Sequence, residues 1–113
     1  MIQRLKILLI FLLINSISIH AQMRTGAEQM EKLLPLLKGK RVALVVNHTS
    51  VVGEAQTHLL DTLLSLKVDV RKVFSPEHGF RGNADAGETV KNGRDVKSGK
   101  PILSLYGKNK KPT

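Results

Sequence analysis

The sequence lacks cysteine and tryptophan, and only 4% of its 113 residues are aromatic. Without cysteine no disulfide can form, so burial alone must stabilise the folded chain. Few aromatic side chains are available to stack on bases, which argues against a nucleic-acid partner. The formal net charge of +9 suits anionic surfaces such as lipid headgroups or acidic glycans. The alternative is a solvated basic surface, which would account for lysines such as Lys108, Lys110 and Lys111.

Signature motifs of several enzyme classes are also missing. No G-x-G-x-x-G follows the first predicted strand, so a dinucleotide is not supported, and no G-x-S-x-G marks a nucleophilic serine. The histidines lack the H-E-x-x-H spacing of zinc hydrolases, which leaves His48, His78 and Glu77 as a weak set of metal ligands. We therefore predict that the protein uses no cofactor and no metal.

Residues 1–21 have the pattern of a secretory signal peptide. Arg4 and Lys6 flank the start of the apolar run 7–14, and small residues lead to the expected cleavage point. The run is shorter than the roughly 20 residues that a membrane-spanning helix needs. Gln22 rather than cysteine follows the cleavage point, so no lipid anchor is indicated. We predict export to the periplasm or the medium, with no stable membrane anchor after cleavage; the alternative is an uncleaved anchor helix.

The mature chain, residues 22–113, begins with a predicted helix. Thr25 and Glu28 have the spacing of a capping box, in which a hydroxyl and a carboxylate satisfy free N–H groups of the first turn. Pro35 removes one helical hydrogen bond and should kink the helix or end it early, and Gly39 is a stop signal.

Strand and helix patterns alternate after this helix. The apolar run 41–46 is typical of a strand buried on both faces, and the alternating run 68–74 predicts a second strand. Between them, Thr57 should cap a helix whose leucines form one stripe. A third strand is predicted at 101–106. These elements form a parallel βαβ unit, so we predict an α/β fold: a Rossmann-like parallel sheet with flanking helices.

The ends of the first two strands carry polar side chains. Pro76 has no N–H to donate, so the chain must leave the sheet there. Because parallel strands end at one edge of a sheet, the turn 47–49 should be a neighbour of Glu77 and His78. Open α/β sheets bind their ligands at such an edge.

Glu77 is the predicted catalytic carboxyl. If it is partly buried, the loss of hydration favours its protonated form, and it can act as a general acid near neutral pH. The alternative is a loop carboxylate that caps a turn or pairs with Arg81. Asp85 and Glu88, in the glycine-rich loop 80–100, are candidates for a second carboxylate. Glycoside hydrolysis needs one at about 5 Å for retention or about 6.5–9.5 Å for inversion. The alternative for both is a solvated loop charge.

Other polar residues near Glu77 are candidates for substrate binding. His78 could orient a substrate hydroxyl or tune the carboxyl, although such a histidine often bonds only to backbone. Arg81 suits bidentate recognition of a carboxylate, and its alternative is a salt bridge to acidic residue 77, 85 or 88. The turn after the first strand consists of Asn47, His48 and Thr49. Its side chains could bind sugar hydroxyls or an amide, or they could only stabilise the turn through local hydrogen bonds.

Four segments, in this order and spacing, resemble the NamZ-type exo-β-N-acetylmuramidases, a family formerly known only as a domain of unknown function. The segments are Val45-Val46-Asn47-His48-Thr49, Phe74-Ser75-Pro76-Glu77-His78-Gly79-Phe80-Arg81-Gly82, Ala86-Gly87 with Asp95, and Ser104-Leu105-Tyr106-Gly107 with Lys111-Pro112-Thr113. The resemblance covers nearly all of residues 22–113. The family's usual Asn-Gln-Thr-Gly turn has a histidine at position 48 here and lacks the glycine at position 50.

The resemblance implies an exo-acting glycoside hydrolase that releases terminal β-linked N-acetylmuramic acid from peptidoglycan fragments in cell-wall turnover or recycling. It implies that Glu77 is catalytic, and that a second domain completes the cleft. Asn47, His48, Arg81 and Tyr106 would then bind the muramoyl saccharide, with Arg81 suited to its lactyl carboxylate.

Family members are several times longer than this chain. We therefore expect residues 22–113 to be the N-terminal part of a Rossmann-like catalytic domain. The alternatives are a non-catalytic peptidoglycan-binding module and an inactive fragment.

Overall fold

A computed structural model describes residues 3–7, 23–82, 91–107 and 110–112. Residues 3–7 are helical and exposed, while most of the apolar run and the cleavage point of the predicted signal peptide lie outside the described residues. Among the residues described, no helix combines the length and the apolar character that a membrane span requires.

The chain alternates short helices and strands. In chain order the elements are a 3₁₀ helix (Gly26–Glu28), α1 (Met30–Leu37), β1 (Arg41–Val45), β2 (Val51–Val52), β3 (Thr57–His58), α2 (Leu59–Ser65), β4 (Asp69–Ser75), β5 (Gly93–Arg94) and β6 (Pro101–Ser104). Four strands form one sheet in the order β1-β4-β6-β5, in which β1, β4 and β6 are parallel and β5 pairs antiparallel with β6. The predicted α/β fold with a mainly parallel sheet and flanking helices is confirmed, and the sheet is mixed at its β5 edge.

The first helix begins later than its sequence predicts. Glu28 Oε2 accepts hydrogen bonds from the N–H of Thr25 at 2.8 Å and from its hydroxyl at 3.1 Å, as in a capping box, but the turn so closed is 3₁₀. α1 follows and continues two residues beyond Pro35, whose missing N–H removes one bond in the last turns. Gly39, with φ of +68°, adopts the left-handed conformation that ends many helices.

A hairpin of β2 and β3 precedes α2, and because of it the helix begins one residue later than the sequence predicts. Thr57 pairs with Val52 in this hairpin, so the prediction that Thr57 caps α2 is wrong. His58 takes the N-cap position instead: its backbone is extended, and its Nδ1 accepts a hydrogen bond from the Leu60 N–H at 3.2 Å. A two-residue strand is too short to show any sequence period, so the hairpin was not predictable from the pattern.

The core lies on the face of the sheet that α1 and α2 cover. Leu60 and Leu63 of the predicted leucine stripe are fully buried and pack with Val70 and Val73 of β4. Each fully buried leucine contributes about 1.5–3 kcal/mol relative to an exposed one. Val45 on β1 is 59% exposed. The prediction that β1 is buried on both faces is therefore wrong for the described residues, because the two helices cover only one face.

Candidate functional site

The parallel strands β1, β4 and β6 end side by side at one edge of the sheet. The register pairs Val45 with Phe74. Beyond the strands, the Val46 N–H donates to the Phe74 carbonyl at 3.0 Å, and the Leu105 N–H donates to the Ser75 carbonyl at 2.8 Å. The three chain segments that follow therefore start from adjacent points. They are the segments that carry the predicted site residues.

Residues 76–79 form an arch between two buried anchor residues. Ser75, before the arch, is fully buried at the end of β4, and Phe80, after it, is 5% exposed and belongs to the core. Within the arch, the Gly79 N–H donates to the Pro76 carbonyl at 3.4 Å. The ends of the arch are thus held by packing, and its middle projects from the sheet edge.

The middle of the arch carries Glu77 and His78. His78 has φ of +70°, a left-handed conformation that costs a residue with a side chain on the order of 1 kcal/mol. Its ring lies edge-on to the ring of His48, with the two centroids 6.0 Å apart. Gly82 lies against His48, and a Cβ added to Gly82 would be 3.3 Å from the Cβ of His48. The turn after β1 and the arch after β4 are therefore neighbours, as the sequence predicted.

Glu77, the predicted catalytic residue, is exposed. The partial burial that would favour its protonated form is not supplied by the described residues. Asp85 and Glu88, the candidates for the second carboxylate, lie outside the described residues. The catalytic role of Glu77 therefore stays a prediction.

The turn after β1 is built by its own polar groups. The Asn47 Oδ1 accepts hydrogen bonds from the N–H of Thr49 at 3.1 Å and from its hydroxyl at 2.7 Å. The Asn47 N–H in turn donates to Ser50 Oγ at 3.2 Å. This is the local role that the sequence left open for Asn47 and Thr49. His48, between them, is exposed and faces the arch, and its binding role stays a prediction.

Tyr106 follows β6 at the same edge and is half-buried. The Ser104 hydroxyl accepts a hydrogen bond from the Tyr106 N–H at 3.1 Å and donates one to its carbonyl at 3.1 Å. This local turn ends β6 two residues earlier than predicted. Within the described ranges, no group of three or more His, Cys, Asp or Glu side chains could hold a metal ion.

His58 is a site-supporting residue that the sequence did not reveal. It is buried, and because its Nδ1 accepts from Leu60, its Nε2 carries the proton and donates to the Asn47 carbonyl at 2.9 Å. Its ring also meets the Phe80 ring edge-on at 4.6 Å between centroids. One histidine thus joins the start of α2, the turn after β1 and the end of the arch.

Arg81, which directly follows Phe80, is held by two carboxylates of the protein itself. Its Nε and Nη2 donate to the two oxygens of Asp95 at 2.7 and 2.8 Å, and its Nη1 and Nη2 donate to those of Asp61 at 3.1 and 2.9 Å. Lys97 Nζ adds a contact to Asp61 Oδ2 at 2.8 Å. We call these four residues the Arg81 cluster; two positive and two negative charges balance in it.

Hydrogen bonds in the Arg81 cluster shift the titration of its carboxyls. Those from Arg81 hold the pKa of Asp95 well below its usual range, burial opposes them only in part, and further hydrogen bonds from Ser98 add to the lowering. The same arginine, assisted by Lys97, lowers the pKa of Asp61. Both carboxylates raise the pKa of Arg81 in return. Arg81, Asp61 and Asp95 are therefore charged near neutral pH.

The sequence anticipated a salt bridge for Arg81, but not its partners. It proposed acidic residues 77, 85 and 88, whereas the structure uses Asp61 and Asp95. Asp61 lies in the first turn of α2. From sequence alone, an acidic residue at this position indicates only a favourable interaction with the helix dipole. The predicted contact of Arg81 with a substrate carboxylate stays a prediction.

Comparison with known families places most of the chain in one of them. The profile of the family described as "Exo-beta-N-acetylmuramidase NamZ, N-terminal" matches residues 42–113. A curated relative, the peptidoglycan beta-N-acetylmuramidase NamZ of Bacillus subtilis (strain 168), is 37% identical over an alignment of 103 residues that covers 88% of this chain and 24% of that protein.

Two crystal structures of DUF1343 family proteins from Bacteroides fragilis NCTC 9343 have a similar fold. One matches with a TM-score of 0.65 at 36% identity, over 80% of this chain and 22% of the other. The second matches with a TM-score of 0.57 at 50% identity, over 71% of this chain and 20% of the other. The chain thus spans about a quarter of the length of its curated relative and about a fifth of the solved structures.

Proposed function

Because the chain belongs to the family of the NamZ exo-β-N-acetylmuramidases, we propose that it contributes the catalytic edge of an exo-acting glycoside hydrolase. Its substrates would be peptidoglycan fragments, from which it releases terminal β-linked N-acetylmuramic acid. One observation carries the proposal: within the matched residues 42–113, the arch places Glu77 at the shared strand edge, next to the paired rings of His48 and His78.

Glu77 would act as the general acid that protonates the glycosidic oxygen as the bond to the departing sugar breaks. Its partner carboxylate would be Asp85 or Glu88. The alternative is a residue in a segment that corresponds to the additional length of the relatives. An exposed carboxyl is poorly suited to this task, so we propose that the same additional length covers the edge and excludes water from it.

The polar side chains around Glu77 would bind the sugar. His48 and His78 face each other across the two strand exits and offer ring N–H groups to hydroxyls. Tyr106 lies half-buried just after the end of β6, the strand that neighbours β4. Asn47 and Thr49 form the wall of the turn, and we propose that they hold His48 in place as well as contacting the substrate.

The test is turnover of a chromogenic N-acetylmuramic acid β-glycoside by the protein as its host produces it. Glu77→Gln should lower kcat by about 10²-fold or more with little change in KM, because it removes the proton donor and retains the shape. Glu54→Gln, at an exposed carboxylate of the β2–β3 turn, is the matched control and should retain full activity. Full turnover by Glu77→Gln would exclude Glu77 as the acid.

A second candidate function is a non-catalytic peptidoglycan-binding module, and the exposure of Glu77 favours it. A shallow polar edge can hold a sugar without cleaving it. This function predicts that muramoyl saccharides bind without release of the chromophore, and that Glu77→Gln leaves their affinity unchanged. Release of the chromophore by the unmodified protein would exclude it.

We also propose that the protein is exported and acts outside the cytoplasm, where peptidoglycan lies. The support is the sequence of residues 1–21, with Arg4 and Lys6 at the head of an apolar run. N-terminal sequencing of the protein purified from its host should begin at Gln22. A first residue of Met1 on membrane-bound protein would favour the uncleaved anchor.

A further inference from the structure

We infer that Arg81 is a positioning residue, which fixes the arch that carries Glu77, and not a ligand of the substrate carboxylate. The importance of Glu77 in this inference rests on the proposed function. The structural part, that the Arg81 cluster orders the arch, stands on the contacts alone. The two parts can therefore be tested separately.

The guanidinium of Arg81 has almost no free donor for a substrate. Of the five N–H groups that a guanidinium carries, four are used by the oxygens of Asp61 and Asp95. A substrate carboxylate would have to displace one of these bidentate pairs. It would also meet two negative charges held within 3.1 Å of the same group.

Arg81 ties the end of the arch to two separate parts of the fold. Asp61 belongs to α2, which is fixed in the core through Leu60 and Leu63. Asp95 is only 4% exposed at its side chain and is itself held by the hydroxyl and the N–H of Ser98, at 2.6 and 3.0 Å. Both partners of Arg81 are therefore restrained before the arginine contacts them.

The near anchor of the arch lies in the sheet, and the far anchor combines the core packing of Phe80 with this cluster. On the near side, Ser75 is held in the hydrogen-bonded sheet. On the far side, Phe80 and Arg81 are the first residues fixed, and the Arg81 guanidinium carbon lies 4.8 Å from the centre of the Phe80 ring. Loss of the cluster should loosen this far end, which then retains only the packing of Phe80, and should disturb the orientation of Glu77.

The first test measures amide hydrogen exchange along the chain in Arg81→Lys. This variant retains the positive charge but cannot form bidentate hydrogen bonds with two carboxylates. Amides of residues 78–82 should exchange at least tenfold faster, while those of Val70 and Val73 in the core change less than twofold. Arg71→Lys is the matched control, because Arg71 pairs with Asp69 on an exposed face at 2.8 Å and should change neither set.

Uniform acceleration over the whole chain would overturn the inference, because it would mean that Arg81 only stabilises the fold. No acceleration at 78–82 would overturn it equally. If Arg81→Lys does not fold, Asp61→Asn replaces it, since this variant retains the Asp95 pair and loosens only the tie to α2. Faster exchange confined to residues 78–82 would again support the inference, and uniform or absent acceleration would overturn it.

The second test uses the chromogenic muramide and the matching β-N-acetylglucosaminide, which lacks the lactyl carboxylate. A positioning role predicts that Arg81→Lys lowers kcat for the muramide at least tenfold and changes its KM less than threefold. A rise in KM for the muramide alone would identify Arg81 as a carboxylate ligand and overturn the inference. If the unmodified protein cleaves neither substrate, the proposed function fails, while the exchange pattern still decides the structural part.

Discussion

At Gly82 two separate constraints disfavour a side chain. The backbone has φ of +76°, and a Cβ would lie 3.3 Å from His48 Cβ. The first constraint is local, and the second joins the segment that follows the arch to the turn after β1. A pair of substitutions can measure them apart.

Gly82→Ala should lower the free energy of unfolding by about 1–3 kcal/mol, since it meets both the left-handed backbone and the histidine. Gly53→Ala is the matched control: its φ is +68° and its Cβ would meet nothing within 4 Å, so it carries the backbone cost alone. Urea unfolding of both variants gives the two values. Equal losses would indicate that His48 moves aside freely and does not brace the arch.

Residue identity alone could not have revealed the partners of Arg81. The sequence showed an arginine among carboxylates, and a salt bridge, which was the alternative to substrate binding, is present with other partners. Asp61 lies twenty residues away on another element, and only the packing of α2 against the sheet brings it within reach. Spacing along the chain contains no information on such a contact.

The position of α2 depends on its first turn, where His58 serves as the cap. His58→Ala should destabilise the protein by about 2–4 kcal/mol, because it removes the cap, the bond to the Asn47 carbonyl and a buried ring. His58→Asn retains a capping oxygen and should lose about half as much. Urea unfolding followed by circular dichroism measures both. If the asparagine variant were as unstable as the alanine variant, the cap would contribute nothing.

At the level of elements, the sequence predicted what depends on local pattern. The two parallel strands, the leucine stripe of α2 and the exit of the chain at Pro76 all follow from periodicity and from the missing proline N–H. The N-cap of α2 was misassigned, because the hairpin that occupies Thr57 is too short to show a pattern. The double-sided burial of β1 was wrong for the described residues, because apolar composition does not reveal what covers the second face.

Much of the candidate site followed from the same local rules. Two strands that end at one edge bring residues 47–49 and 77–78 together, and this neighbourhood needed no knowledge of packing. The exposure of Glu77 and the supporting role of His58 did need it, because both depend on which groups the rest of the fold places nearby.

For the whole molecule, the Arg81 cluster predicts loss of stability in acid. The pKa values of Asp61 and Asp95 are lowered in the folded chain. Below about pH 5 the unfolded chain therefore binds more protons than the folded chain. The stabilisation is complete above the usual Asp pKa of about 4 and is lost as the pH falls below it. Urea midpoints should therefore be nearly constant between pH 6 and about 5 and should decrease from there to pH 2.

Asp95→Asn tests whether this acid sensitivity comes from the cluster. The variant should be less stable at pH 7, because Arg81 loses a charged partner, and its stability should fall less steeply between pH 5 and 2. The difference in slope can reach about 1.4 kcal/mol per pH unit for the one proton that is no longer taken up. An unchanged slope would assign the acid sensitivity to carboxyls elsewhere in the chain.

The contacts of the Arg81 cluster differ sharply in their access to solvent. Lys97 is 66% exposed at its side chain, whereas Asp95 is 4% exposed. Dissolved ions screen a charge pair that faces water and barely reach one that does not. At high ionic strength the contact of Lys97 with Asp61 should therefore weaken first, while the bidentate pair of Arg81 and Asp95 remains. The arch should then keep its orientation in concentrated salt but lose it in acid.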